Sequence, residues 1–146
     1  AAACFLGGLV VTNNLSNELL SRVIVDDDYS ILIHVPDHKS YTKDVNYSGS
    51  DEFIHSLDTL ISMTLEGNYL SAMSLNGMIY SRILKQSNES AILALKNNAL
   101  AAGLSGTGPS VGVICLSENK SSILDSWKNL DGDIITAKIN NEKGLI

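Results

Sequence analysis

The sequence is poor in positive charge, proline, cysteine and aromatic residues. Ten Lys and Arg residues stand against sixteen Asp and Glu, giving a formal net charge of -6, and the basic residues are scattered. Such a charge balance argues against a nucleic-acid surface, which needs a clustered basic face. The strongest apolar run near the start, Cys4 to Val11, is too short to span a bilayer, and no basic stretch of a signal peptide precedes it. We therefore expect a cytoplasmic protein with neither a nucleic-acid nor a membrane partner.

The two cysteines lie far apart in the chain and lack the spacing of a metal site. Cys4 and Cys115 both stand in apolar surroundings, which predicts two buried, reduced thiols. The acidic run from Asp26 to Asp28 could hold a metal ion or form a solvated turn. Three consecutive side chains do not converge from regular structure, so we predict a turn and no metal site.

The apolar residues, 45% of the 146, suffice for one domain over residues 1–146. Short apolar stretches predict strands at 9–12, 22–25, 31–35, 99–104, 111–116 and 133–139. Helical spacing predicts helices within 51–97 and at 120–130. No linker, repeat or low-complexity segment divides the chain.

Two long helices are predicted in the middle of the chain. The first has Ser48 or Ser50 as its candidate N-cap and ends at Gly67. Its apolar face is predicted to consist of Phe53, Ile54, Leu57, Leu60, Ile61 and Leu65. The second is predicted to turn toward the core a stripe made of Leu70, Met73, Gly77, Tyr80 and Leu84. Ser87 or Asn88 is the expected cap of a third, shorter helix.

Several other side chains are predicted to serve the core. His34, in an apolar strand, is expected to be a hydrogen-bonded core histidine and not a ligand. Trp127 is expected to be buried. The methionines Met63, Met73 and Met78 stand at helical positions, which is typical of ordinary packing.

From residue 31 onward the predicted elements follow the order β-α-β-β-α-β. This is the ferredoxin-like split β-α-β arrangement of an α+β protein, here with extra helices in the first crossover. Four antiparallel strands with helices on one face suit a chain of this length.

A glycine-rich segment, "GLSGTGPS", joins the two middle strands of this order. Glycine lets backbone N–H groups approach an anion closely, and hydroxyls add donors. The segment lacks the Lys-Ser/Thr ending of a Walker A sequence, and no helix opens directly behind it as in a dinucleotide-binding motif. A phosphate-binding loop and an elaborate structural turn both remain open on these grounds. The residues concerned are Gly103, Ser105, Gly106, Thr107, Gly108 and Ser110.

A resemblance to a known family favours a phosphate-binding loop over a purely structural turn. "LSGTGPS" resembles the third conserved motif of the galactokinase–homoserine kinase–mevalonate kinase (GHMP) superfamily, a glycine-rich loop near the nucleotide phosphates. "FLGGLVVTNN", "ILIHVPDHKSYTKDV", "AMSLNGMIYSRIL" and "ALAAGLSGTGPSVGVICL" resemble segments of its archaeal-type shikimate kinase branch, in the same order. The likeness extends over essentially the whole chain.

The resemblance implies ATP-dependent phosphorylation of the 3-hydroxyl of shikimate with Mg²⁺, on the way to aromatic amino acids. It also implies a two-lobed enzyme, of which this chain is the C-terminal lobe, the GHMP kinase C-terminal domain. The family's main phosphate loop belongs to the N-terminal lobe, and its acidic residue falls just before Ala1. We therefore expect a fragment that needs its missing N-terminal lobe as a partner, and that is inactive alone.

The resemblance also suggests where ligands bind. The six residues of the glycine-rich segment would border the nucleotide phosphates or brace the missing phosphate loop. Thr12, Asn13 and Asn76 are candidates for binding shikimate, against the alternatives of a strand-end turn and a polar helix contact.

The carboxylate of shikimate needs a cationic partner. Arg82, Lys39 and Lys43 are candidates, and spacing singles out none of them.

Two other functions remain open. One is another GHMP kinase of a small alcohol such as homoserine or mevalonate. The other is a regulatory domain that binds a ligand without catalysis, since ferredoxin-like folds do both.

Overall fold

The computed structural model describes residues 2–13, 16–39 and 53–144. Five helices and six strands occur along this part of the chain. The strands are β1 (Leu9–Asn13), β2 (Glu18–Val23), β3 (Tyr29–Val35), β4 (Ala101–Leu104), β5 (Val111–Leu116) and β6 (Asp133–Lys138). The helices are α1 (Ala2–Leu6), α2 (Ile54–Leu65), α3 (Tyr69–Leu84), α4 (Glu89–Lys96) and α5 (Lys120–Ser126). A single 3₁₀ turn, Ser117–Asn119, leads into α5.

Four strands form an antiparallel sheet in the order β4-β5-β3-β6. Strand β5 lies between β3 and β4. The crossover that runs from β3 through α2, α3 and α4 to β4 therefore skips one strand position, which β5 fills. This is the split β-α-β arrangement, and the predicted ferredoxin-like order with extra helices in the first crossover is confirmed. The apolar runs that predict these strands are buried in the structure. In the two central strands, for example, Leu32 of β3 is paired with Val113 of β5, and both side chains are buried.

One face of the sheet carries the larger hydrophobic core. Leu32, Val113 and Ala102 point to this face, where α4 and α5 cover them with Ala91, Ala94, Ile123 and Trp127. Each of these side chains is no more than 1% exposed. Small alanines on α4 let this helix lie close to the strands, while Trp127 fills the remaining volume.

Helix α3 packs on the other face of β4. Gly103 alternates with Ala102 along the strand and therefore points to the opposite face. A Cβ built on Gly77 of α3 would lie 2.3 Å from the Cα of Gly103, so the two backbones touch there. The prediction that helices cover only one face of the sheet is wrong, because this glycine pair lets α3 settle on the second face.

Helices α2 and α3 form a smaller core of their own around Leu60, Ala72, Ile79 and Ile83. The predicted apolar face of α2 is correct for Leu60 and for Phe53, which packs against this cluster. It is wrong for Ile61 and Leu65, which are 55% and 68% exposed. Within the described residues α2 packs mainly against α3, so its apolar stripe is wider than the surface that this one neighbour covers. The side chains of Ile54 and Leu57 lie outside the described part.

The predicted core stripe of α3 is rotated from the observed one. Of its five members only Gly77 is buried, whereas Leu70, Met73, Tyr80 and Leu84 are half-buried. The fully covered positions are Ala72, Gly77, Ile79, Ser81 and Ile83. Helix α3 lies between α2 and β4 and buries two sides, so a single stripe of large residues does not mark its core. Met78 is 37% exposed, contrary to the packing predicted for all three methionines.

The helix ends differ in detail from the predicted caps. Helix α2 begins at Ile54 after Phe53, and the candidate caps Ser48 and Ser50 lie outside the described residues. Its end near Gly67, which has φ +87°, is as predicted. Helix α4 begins after Asn88, one of the two predicted cap residues. The Asn88 side chain makes no cap hydrogen bond and instead accepts one from the buried hydroxyl of Ser81, while Ser87 Oγ accepts from Glu89 N–H at 3.2 Å.

Strands β1 and β2 form a separate two-stranded sheet, preceded by the short helix α1, which the sequence did not predict. The guanidinium of Arg22 donates to the carbonyls of Leu6, Gly7 and Asn141, at 2.7, 3.1 and 2.7 Å. The side-chain amide of Asn141 accepts from Val25 N–H at 3.0 Å and donates to the Val25 carbonyl at 2.7 Å. The segment after β6 thus ties the hairpin to the main sheet.

Most of the single-residue predictions are confirmed. Trp127 is 1% exposed, and its indole N–H donates to the Ser90 carbonyl at 3.0 Å. His34 is buried and its Nε2 donates to the Asp131 carbonyl at 2.8 Å, whereas its Nδ1 has no partner among the described residues. Asp26 begins an exposed turn, where its carboxylate accepts from Asp28 N–H at 3.1 Å.

The prediction for the cysteines is half right. Cys115 is buried in β5, but Cys4 is exposed. Helix α1 has no buried residue, so an apolar neighbourhood in sequence does not bury Cys4. In the described ranges no helix is long and apolar enough to cross a membrane.

Candidate functional site

The glycine-rich segment forms a closed loop between β4 and β5. The N–H of Ser105 donates to the carbonyl of Ser110 at 2.8 Å, which closes the base of the loop. Within it, Gly108 N–H donates to the Ser105 carbonyl at 3.2 Å, which makes a tight turn through Gly106 and Thr107. The loop is therefore more elaborate than a two-residue hairpin turn.

Gly106 and Gly108 are required by the shape of this turn. Both adopt positive φ angles, +64° and +83°, which side chains rarely tolerate. A Cβ at Gly106 would meet nothing within 4 Å, so the tip of the loop faces open space. Gly108 is in contact with Gln86, whose Cγ would lie 3.0 Å from an added Cβ. The loop thus has a supported side and an open side.

The remaining loop residues differ in their exposure. Ser105 is exposed, while Thr107 and Ser110 are half-buried. Gly103 is buried within β4 opposite Gly112. Because it has no side chain, α3 can pack directly against its backbone. The structure therefore gives Gly103 a packing role, and Ser105 to Gly108 form the accessible part of the predicted phosphate loop.

Two of the three predicted shikimate-binding residues lie on the hairpin. Thr12 and Asn13 are half-buried at the end of β1, next to the turn into β2. Asn13 Oδ1 accepts from Ser16 N–H at 3.3 Å, as a residue that begins a turn does. The structure thus shows Asn13 in the strand-end turn that was one of its two interpretations.

Asn76 lies on α3 and is exposed. The next residue, Gly77, contacts Gly103 and Leu104, directly before the loop. Asn76 thus lies on the helix that packs against β4, one residue before that contact, while Thr12 and Asn13 belong to the separate two-stranded sheet.

Among the cationic candidates, Arg82 is exposed in the last turn of α3, and Lys39 is exposed after β3. Lys43 lies outside the described residues. The described ranges contain no group of His, Cys, Asp or Glu that could hold a metal ion.

A cavity of about 390 Å³ lies elsewhere, between the hairpin and the start of α3. It is lined by residues such as Leu9, Val23, Tyr29 and Leu70, and no predicted site residue takes part. The loop contact with Gln86 lies beyond the other end of α3, and a 16-residue helix is about 24 Å long. The cavity and the glycine-rich loop are therefore separate features.

Sequence reasoning missed the residues that support the loop. Ser74, Gly77 and Gln86 all belong to α3 or follow it, and each contacts β4 or the loop. One signal was available: a glycine inside a helical pattern usually has a packing reason. The spacing of the apolar residues instead places Gly77 in a stripe of large side chains, which hides its role in the close contact with β4.

Comparison with known proteins gives a consistent answer. Residues 56–131 match the family described as GHMP kinases C terminal. The chain is 36% identical to shikimate kinases from Methanothermobacter thermautotrophicus and Methanothrix thermoacetophila, in each case over 97% of its length. These matches cover 49% and 48% of the two relatives, so the chain spans about half the length of the curated proteins it resembles.

Solved structures agree on the fold. Homoserine kinase from Cytophaga hutchinsonii is similar over 97% of this chain and 51% of its own, with a TM-score of 0.66 at 20% identity. Methanococcus jannaschii mevalonate kinase is similar over 86% of this chain and 45% of its own, with a TM-score of 0.63 at 15% identity. The residues that match the family, 56–131, include most of α2, all of α3 to α5, β4 and β5, and with them the glycine-rich loop. The chain belongs to the GHMP kinase family and corresponds to the C-terminal domain of these proteins.

Proposed function

We propose that this chain is the C-terminal half of an ATP-dependent shikimate kinase that phosphorylates the 3-hydroxyl of shikimate. The observation that carries the proposal is the similarity to shikimate kinases over 97% of the chain, at up to 36% identity. It is supported by the family membership and by a glycine-rich loop with an open tip.

In phosphoryl transfer a protein mainly positions the reactants and stabilises developing charge. The accessible turn from Ser105 to Gly108 fits a phosphate because the N–H of Gly106, at the open tip, can approach an anion without obstruction from a side chain. The hydroxyls of Ser105, Thr107 and Ser110 supply further donors. ATP with Mg²⁺ supplies the phosphoryl group and neutralises part of its charge.

The substrate side of the proposal involves Thr12, Asn13 and Asn76, with Arg82 or Lys39 as the cation for the carboxylate of shikimate. Asn76 is exposed on α3, the helix that packs against the strand leading into the loop. The N-terminal half of the longer relatives would supply the main phosphate loop and the acidic residue.

A homoserine or mevalonate kinase is the second candidate, since those enzymes share the fold. The sequence favours shikimate: identity is 36% to a shikimate kinase and 20% to the homoserine kinase of known structure. A non-catalytic ligand-binding domain fits less well with a family of kinases.

The test is an assay of the full-length protein with ATP and Mg²⁺, coupled to ADP formation. Shikimate, homoserine and mevalonate are compared at equal concentrations. We expect turnover with shikimate and at least a hundredfold lower kcat/KM with the other two, because a site that hydrogen-bonds one acceptor rejects analogues lacking its groups. Comparable turnover with homoserine would contradict the assignment.

The 146-residue chain alone is expected to be inactive with shikimate, since it spans only about half the length of the shikimate kinases that it matches. The same assay checks this, with full-length protein as the positive control. ADP formation that depends on shikimate in the isolated chain would contradict a two-lobed active site.

A further inference from the structure

We infer that Ser74 and Gly77 of α3 are positioning residues that set the place of the glycine-rich loop, and through it the affinity for the nucleotide. The inference rests on the proposed function for its kinetic consequence. Its structural basis is a set of contacts between one helix and the strand that leads into the loop.

The first contact is polar. Strand β4 is an edge strand of the four-stranded sheet. The N–H of Ala102 in this strand donates to the hydroxyl of Ser74 at 3.1 Å, and that hydroxyl donates to the carbonyl of Leu70 at 3.2 Å. Ala102 is 0% exposed, so loss of the hydroxyl would leave a buried amide without this acceptor.

The second contact is steric. A Cβ on Gly77 would lie 2.3 Å from Gly103 Cα and 2.7 Å from Leu104 N. From the other side, a Cβ on Gly103 would lie 2.9 Å from the carbonyl oxygen of Met73. Neither backbone can move toward the other, and Ser105 follows directly on Leu104.

The third contact reaches the far side of the loop. Gln86, just after α3, touches Gly108, and an added Cβ there would meet Gln86 Cγ at 3.0 Å. Helix α3 thus contacts the chain before the loop, and Gln86, which follows the helix, contacts it within the loop, whose base is closed by the bond between Ser105 and Ser110. A shift of α3 relative to β4 would therefore move the turn from Ser105 to Gly108, with the N–H of Gly106 at its tip, as a unit.

The experiment compares Ser74→Ala with Ser74→Thr and Ser71→Ala in the full-length protein. Thr keeps the hydroxyl, and Ser71 is an exposed serine on the same helix, so its variant controls for the substitution itself. Two quantities are measured: the Kd of a non-hydrolysable ATP analogue by calorimetry, and the KM values for ATP and shikimate.

For Ser74→Ala we expect the Kd of the analogue and the KM for ATP to rise about fivefold or more, because misplaced amides lose hydrogen bonds to the phosphates. The KM for shikimate should stay within about twofold. Ser74→Thr should restore the nucleotide values and Ser71→Ala should leave them unchanged. Gly77→Ala should show a larger effect of the same kind if it folds.

An unchanged Kd and KM for the nucleotide in folded Ser74→Ala would overturn the inference, as would equal increases in both KM values. The proposed function fails in a different way: wild-type protein would bind the analogue without phosphorylating shikimate. In that case the Kd series still decides whether α3 positions the loop.

Discussion

Gly106 is the residue on which the role of the loop can be tested most directly. It is exposed, adopts φ +64°, and has no atom within 4 Å of the place where a Cβ would stand. A side chain there is therefore strained by the backbone but not obstructed by the rest of the chain. The space that the side chain would occupy is the space that we assign to the nucleotide.

For Gly106→Val in the full-length enzyme we expect turnover to fall about tenfold or more, which corresponds to about 1.4 kcal/mol of transition-state stabilisation. The added side chain would hold the phosphates away from the loop amides. Steady-state kinetics with ATP and shikimate measure the effect.

Gly67→Val is a matched control, because Gly67 is also exposed with a positive φ, +87°, and only Tyr69 Cε2 at 4.0 Å from an added Cβ. Both substitutions should lower the free energy of unfolding by about 1–2 kcal/mol or more through backbone strain. Only the change at Gly106 should slow the reaction, and equal kinetics for the two folded variants would show that the loop is only a connection.

Cys115 gives a prediction about pH. Burial raises the pKa of its thiol above the ordinary value of 9.0, and the positive charge of Lys120 offsets part of the increase. In the unfolded chain the thiol ionises first as the pH rises. Its contribution to stability is therefore complete below about pH 9 and is lost as the pH rises toward the higher folded pKa.

We expect the free energy of unfolding of the chain to fall as the pH rises above about 8, and to fall less in Cys115→Ala. Urea unfolding at several pH values measures the slopes. Cys4→Ala provides the control, since Cys4 is exposed and should leave the slope unchanged. Identical slopes for wild type and Cys115→Ala would contradict the effect of burial on this thiol.

At the scale of helices and strands, the sequence predicted the buried strands but not which side of α3 is buried. Strands such as β3 and β5 were predictable because short continuous apolar runs that end at turn residues are typical of buried strands. The core side of α3 was not predictable from its large residues. The buried positions of α3 are set by Gly77, which packs against β4, and by Ile79 and Ile83, which pack against α2. These contacts lie on different sides of the helix, so no single apolar stripe predicts both.

The candidate site shows the same division. The loop could be found in the sequence because three glycines and three hydroxyl residues stand together, and its relation to phosphate came from a family resemblance. Its support could not be found in this way. Ser74 and Gln86 carry no motif, and only the approach of α3 to β4 gives them a role.

In the molecule as a whole, two sheets are connected by the segment that follows β6. Asn141 bonds both the N–H and the carbonyl of Val25, and Arg22 reaches from β2 to the carbonyl of Asn141. Gly7 is buried against this segment, since a Cβ there would lie 2.3 Å from the Glu142 carbonyl oxygen. A two-stranded hairpin is marginally stable by itself, so these contacts hold it in place.

Asn141→Ala is expected to lower the free energy of unfolding by about 1–3 kcal/mol, because two backbone groups of Val25 lose their partners. Hydrogen exchange should become faster in β1 and β2 and stay unchanged in β5. Asn129→Ala, at an exposed position, is the control. Equal protection of the hairpin amides in both variants would show that the segment after β6 does not secure it.

The contact between Gly77 and Gly103 also limits how this architecture can be re-engineered. The position of the loop depends on α3, which precedes it by about twenty residues in the sequence. A chimaera that receives only the residues from Ser105 to Ser110 would therefore have the loop sequence without the helix contact that positions it. Transfer of a working loop between related enzymes would require α3 to be grafted together with β4, the loop and β5.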